Sequence, residues 1–164
     1  MNEKMEFFRK RIEMYDWPEA VAVTGALGCG KTEWVLNLAL GFKAAFHGVT
    51  IADVDIINPY FCVRQVTDTL EKQGYNVITA PDSTKWSDIP VISAKVDWAL
   101  SDSENKLLLD IGGDSIGARA LKQYEVRIKK AGYKLIMVAN SFRPHTSTVE
   151  GMEKMVRRME EISD

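Results

Sequence analysis

The chain has 164 residues, 46% of them apolar and 27% charged, with a formal net charge of -2. That size and balance fit one globular domain burying roughly 70% of its unfolded surface, and exclude a fibrous or disordered chain. The charge leaves no bulk basic footprint for nucleic acid, and no run of about 18 apolar residues exists to span a membrane. Cys29 and Cys62 stand far apart without metal-ligand spacing, and the charged N-terminus lacks a signal peptide's apolar stretch, so a reducing, cytoplasmic setting is expected.

Met5, Phe8, Ile12 and Tyr15 recur at helical spacing, which predicts an amphipathic N-terminal helix closed off by Trp17-Pro18. Residues 1–18 therefore read as a helical extension, and 19–164 as the main domain. Apolar runs then alternate with helical segments: strand Ala20 to Thr24, helix Lys31 to Phe46, strand Val49 to Asp53, helix Phe61 to Gln73, strand Asn76 to Ala80. The polar connection "PDSTKWSDIPVIS" leads to a short helix at Ala94 to Leu100 and a strand at Lys106 to Ile111. Helix Ile116 to Lys130, ended by Gly132, and strand Lys134 to Ala139 follow.

Ser147 and Glu150 have capping-box spacing before the last helix, whose stripe Val149, Met152, Met155, Val156, Met159 and Ile162 should pack on the sheet or fill a partner's groove. Strands this continuously apolar, separated by helices, predict an α/β fold. It should be a three-layer α-β-α sandwich around a mostly parallel sheet of about five strands, plus the N-terminal helix.

The first strand runs into Gly25-Ala26-Leu27-Gly28-Cys29-Gly30-Lys31-Thr32, which satisfies GxxxxGK[ST] between a strand and a helix. Background frequencies give this pattern by chance about once in 200 chains of this length. Glycines let backbone N–H groups converge on phosphates, and the helix N-terminus adds the positive end of its dipole. Lys31 would supply a point charge to the β- and γ-phosphates, and Thr32 a hydroxyl for Mg²⁺. The expected nucleotide-contacting stretch runs from Gly25 through Glu33.

Three acids follow at strand ends, where ligands of a parallel sheet bind. Asp110 ends "KLLLDIGGD" in the position of a Walker B carboxylate, and Gly113 completes a DxxG that could sense a γ-phosphate. Asp53 and Asp55 lie in "IADVDIINPYF". Asp53 would sit near the magnesium shell and Asp55 would orient or deprotonate the attacking water, unless one of them only caps the helix after Asn58-Pro59. The candidate catalytic residues are thus Lys31, Asp55 and Asp110, and the candidate metal ligands Thr32, Asp53 and Asp110.

Arg64, Arg119 and Arg143 follow strands or lie in switch-like segments, where a guanidinium could steady phosphate charge, although each reads first as a surface or ion-pair residue. Cys29 lies near a helix N-terminus, which would lower its thiol pKa and expose it to oxidation, although it reads first as a small side chain pointing away from the phosphates. His145 is a lone loop histidine, and Trp34, Trp86 and Trp98 read as packing residues.

Together, "TGALGCGKTEW", "ADVDIINPYF", "LLLDIGGDSIGARAL" and "NSFRPHTSTVEGMEKM" resemble the MinD/ParA and cobyrinic-acid-synthase-like group of P-loop NTPases, over the chain from about Ala20 onward. The resemblance implies a Walker B strand beside the phosphate-loop strand, nucleotide-dependent dimers in many members, and ATP more often than GTP. Carried over by position, Gly30, Lys31 and Thr32 match the phosphate and magnesium residues, Asp110 the Walker B acid, and Asp53 and Asp55 the first-switch acids. Many ParA-like members carry a second lysine where this loop has Ala26, so hydrolysis is expected to be slow or differently triggered. The family also continues past the last helix with another strand and a base-recognising segment. Here the sequence stops at Asp164, so truncation, a short member, or a base-binding edge completed by a homodimer or partner chain is expected.

The expected function is Mg²⁺-dependent binding and hydrolysis of a nucleoside triphosphate, coupled to a switch or to dimerisation. The alternatives are a small-molecule kinase or ATP-dependent ligase on the same scaffold, and a non-catalytic nucleotide-binding assembly module.

Overall fold

A computed structural model of the chain describes residues 3–54, 63–79, 89–113 and 121–163. The apolar runs form β1 (Ala20–Thr24), β2 (Gly48–Asp53), β3 (Asn76–Ile78), β4 (Asn105–Asp110) and β5 (Tyr133–Met137), joined in one sheet of order β3-β2-β4-β1-β5. All its pairings are parallel. The helices are α1 (Glu3–Glu13), α2 (Lys31–Ala45), α3 (Thr67–Lys72), α4 (Ile89–Ser101), α5 (Glu125–Ala131) and α6 (Val149–Ser163), with single 3-10 turns at Val63–Val66 and Pro144–Thr146.

Strand alternation assigns the two faces of the sheet. Val21 and Val23 of β1, Ile51 of β2 and Leu108 of β4 point to one side, where Ile12, Val35, Leu38, Phe42 and Leu70 from α1, α2 and α3 cover them. Ala20, Ala22, Leu107, Leu109 and Ile111 point to the other, under Val96 of α4, Leu121, and Tyr124 and Ile128 at α5. Both faces are therefore dry, as continuously apolar parallel strands require. The result is the expected α/β three-layer architecture.

The N-terminal extension packs on the domain. Trp17 meets Phe42 edge to face at 5.0 Å, and its Nε1–H donates to the Ile12 carbonyl at 2.9 Å. Ile12 sits so close to α2 that a Cβ on Gly41 would come within 2.6 Å of it.

Several expected boundaries move. Helix α4 begins at Ile89 rather than near Ala94, because Pro90 falls in the first turn, where its missing N–H costs no helical bond. The long helix expected over Ile116 to Lys130 is interrupted, with residues 114–120 outside the described part. Leu121 and Lys122 are helical, and α5 starts afresh after Tyr124, whose carbonyl accepts from the N–H groups of Arg127 and Ile128.

The last helix is capped by Thr148, not Ser147. The Gly151 N–H donates to the Thr148 hydroxyl at 3.1 Å, while the Ser147 hydroxyl is drawn back to the Pro144 carbonyl by the preceding 3-10 turn. Among the described side chains of its apolar stripe, Met159 is buried, Met152 and Met155 are half-buried, and Val149 and Val156 are exposed. The helix packs mainly on the Pro144–Thr146 turn. At the other end of the sequence of contacts, β5 forms one sheet edge, with Tyr133, Lys134 and Leu135 exposed.

Candidate functional site

In the sheet order, β1 lies between β4 and β5, while β2 lies beyond β4. The chain thus departs from β1 in one direction early and returns on its other side late, which opens a crevice at the carboxyl ends of these strands. The glycine loop, residues 25–30, leaves β1 at this crevice and enters α2.

Backbone approach dictates the composition of this loop. A Cβ on Gly25 would overlap the Val138 carbonyl oxygen beyond β5, and a Cβ on Gly113 beyond β4 would overlap the Gly25 carbonyl. Thr24 adds a side-chain tie, its hydroxyl donating to the Gly112 carbonyl at 3.3 Å. The segments following β1, β4 and β5 are therefore interlocked main chain to main chain. Within the loop, the Cys29 N–H closes a turn on the Ala26 carbonyl at 3.1 Å. The apex is open: Leu27, Gly28 and Gly30 are exposed.

Gly30 precedes α2 with φ 101° and offers no side-chain cap. The helix consequently begins with first-turn N–H groups suited to an anion. Lys31 and Thr32, the first two residues of α2, are both buried beneath the loop. Glu33 instead points outward, where the Asn37 amide donates to its carboxylate at 3.0 Å.

Alternation along β2 and β4 sends Asp53 and Asp110 to the α2 side of the sheet, in the same parity as Ile51 and Leu108. The two acids are register partners on adjacent strands, a lateral spacing of about 4.8 Å. Their exposures are 1% and 2%. The Thr32 hydroxyl donates to Asp110 Oδ2 at 2.6 Å, a short bond of the kind ionised acceptors make. Two carboxylates this close and this dry repel each other, so the space beside them favours a cation.

A hydroxyl beside two carboxylates is also a hard oxygen donor set of the kind Mg²⁺ prefers. Among the described residues, no group of three or more His, Cys, Asp or Glu side chains could hold a metal alone. Magnesium shared between one or two protein oxygens and phosphate oxygens needs no such cage. The donor set present therefore fits this ion.

Of the predicted site residues, Gly25 to Glu33, Asp53, Asp110 and Gly113 converge on one end of the sheet, with Leu27 and Glu33 directed away from its interior. Asp55 lies outside the described residues, as do Cys62, Trp86 and Arg119; the side chain of Arg64 does too. The expected lowering of the Cys29 thiol pKa is reversed. Burial pushes it up from the usual range, and the nearby Lys31 charge only partly opposes that. Trp34 and Trp98 are not packing residues, being 53% and 75% exposed, and Trp17 fills that role instead. His145 is exposed in the turn before α6.

Sequence reasoning did not anticipate what Arg143 touches. It lies beyond β5, and its guanidinium donates to the Gly28 carbonyl at 3.0 Å across 115 residues of chain. Only the arginine's position after a strand hinted at this. No protein-family model matches the chain, and no curated protein matches it significantly.

Proposed function

We propose that this protein binds a nucleoside triphosphate together with Mg²⁺, ATP before GTP, and hydrolyses it. The observation that carries this is the 2.6 Å bond from Thr32 to Asp110 under a glycine loop that opens a helix. An isolated glycine turn would not need a buried lysine, a buried hydroxyl and a strand-end carboxylate assembled beneath it. The resemblance to the MinD/ParA group supports the same conclusion from motif order.

Each residue then has a task. Loop and first-turn N–H groups receive phosphate oxygens, and the α2 dipole favours their negative charge. Lys31 neutralises charge between the β- and γ-phosphates, where it grows during transfer to water. Thr32 and Asp110, with Asp53 close behind, would hold Mg²⁺. When bound, this ion withdraws charge from the phosphate oxygens. Gly113, packed against Gly25, offers a backbone route from the phosphates to the segment after β4, suited to a switch. Asp55 is proposed, from its sequence position, to orient the attacking water. The exposed β5 edge supports completion by a second copy or a partner chain.

The test is phosphate release from ATP with Mg²⁺ by the parent protein, Lys31→Ala and Asp55→Asn. Turnover lost in both variants supports hydrolysis at this site. Tight nucleotide binding without turnover in the parent would replace the enzyme with a non-catalytic nucleotide-binding module, and turnover indifferent to both substitutions would refute the site.

A further inference from the structure

We infer that Arg143 is a positioning residue that clasps the glycine loop, tying the loop's shape, and hence its hold on phosphate, to the turn that leads into α6. The tie begins with the hydrogen bond from the guanidinium to the Gly28 carbonyl. The guanidinium also occupies the space where a residue 28 side chain would go, since a Cβ there would lie 2.8 Å from Nη2. Gly28 has φ +70°, so its conformation favours a bare backbone, and that bare backbone leaves room for the guanidinium to rest on it.

The arginine is held from behind. Its own N–H donates to the Asn140 carbonyl at 3.0 Å, and its carbonyl accepts from the Thr146 N–H at 3.0 Å. The buried Thr146 hydroxyl binds the Asn140 carbonyl at 2.7 Å, and the Asn140 side chain accepts from the Phe142 N–H at 2.9 Å. One end of this braced turn grips the loop, and the other leads through Ser147 and Thr148 into α6. A partner or ligand that shifts α6 would therefore loosen or tighten the loop through Arg143.

The peptide whose carbonyl Arg143 holds is the one that supplies the Cys29 N–H. Releasing the carbonyl removes one of the two hydrogen bonds described on that peptide, the other running from the Cys29 N–H to the Ala26 carbonyl, so the loop opens more often over Cys29, which is otherwise buried. This gives a readout independent of any nucleotide. In a Cys62→Ser background, a thiol reagent at fixed pH should modify Cys29 several times faster in Arg143→Ala than in the parent. Arg143→Lys, which keeps the stem and one donor, should fall between them, with melting temperatures close to the parent's.

The second arm rests on the nucleotide reading above: Mg²⁺-ATP affinity should fall about threefold to tenfold in Arg143→Ala, with partial recovery in Arg143→Lys. Unchanged Cys29 reactivity in both variants would overturn the clasp whether or not nucleotide binds. Raised reactivity in Arg143→Ala, with a parent that binds no nucleotide, would keep the clasp and refute the nucleotide site. Should Arg143→Ala melt well below the parent, Arg143→Lys decides alone. Faster modification at parental stability supports the clasp, and parental reactivity overturns it.

Discussion

Replacing Thr32 with valine removes one oxygen while conserving volume, and so isolates the contact on which the candidate site turns. Thr32 and Asp110 are both buried, and the bond between them is 2.6 Å long. A hydrogen bond to a buried ionised group contributes about 1.5–3 kcal/mol, and its loss leaves a carboxylate oxygen without that donor. For a chain of this size each kcal/mol moves Tm by about 2–4 °C, so Thr32→Val should melt roughly 3–12 °C lower.

Thr32→Ser keeps the hydroxyl and loses one methyl group, and should cost about 1 kcal/mol or less. Urea unfolding followed by far-UV circular dichroism measures both variants without nucleotide, and Mg²⁺-ATP titration measures them with it. The valine variant should also lose most of the magnesium dependence of binding, whereas the serine variant should keep it. A Thr32→Val protein within about 0.5 kcal/mol of the parent, binding nucleotide with undiminished magnesium dependence, would refute the reasoning.

Three further outcomes are expected. Gly113→Ala forces a methyl group into the Gly25 carbonyl, so nucleotide affinity should drop at least about tenfold, as equilibrium titration would show. Phe42→Ala empties a fully buried site that touches Trp17 and Phe46 edge to face, and should cost about 3–5 kcal/mol in urea unfolding, leaving α1 free to detach. For Cys29, a thiol pushed up by burial stays protonated in the folded protein after the unfolded chain has ionised. Its contribution to stability is thus complete below the unfolded thiol pKa and is lost as pH rises through the folded value. In the Cys62→Ser background, alkylation should therefore stay slow at neutral pH and climb only above the ordinary thiol range; a midpoint below it would contradict the burial.

Much of this arrangement was legible in the sequence because it depends on local pattern. The strand Ala20–Thr24 emerged with its expected ends, since a run of alanine and valine stops at a glycine loop whose spacing is itself diagnostic. Asp53 and Asp110 could be placed at strand ends, although their register across β2 and β4 required the sheet. What escaped was set by contacts distant in sequence or by competition between neighbours. Ser147 lost the cap to Thr148 because the Pro144 turn claimed its hydroxyl. Pro90 passed for a loop residue although a helix's first turn accepts it. The Cys29 thiol responded to burial more than to the helix terminus, and burial has no local signature. The Arg143 to Gly28 bond joins residues that no pattern within either segment connects.

The most direct test of the central claim is calorimetric titration of ATP, with and without Mg²⁺, into the parent protein, Lys31→Ala and Asp110→Asn. Saturable one-to-one binding by the parent is expected, weaker by at least about tenfold without magnesium or in either variant. No binding by the parent, or equal binding by all three proteins regardless of magnesium, would contradict a nucleotide site built on Lys31, Thr32 and Asp110.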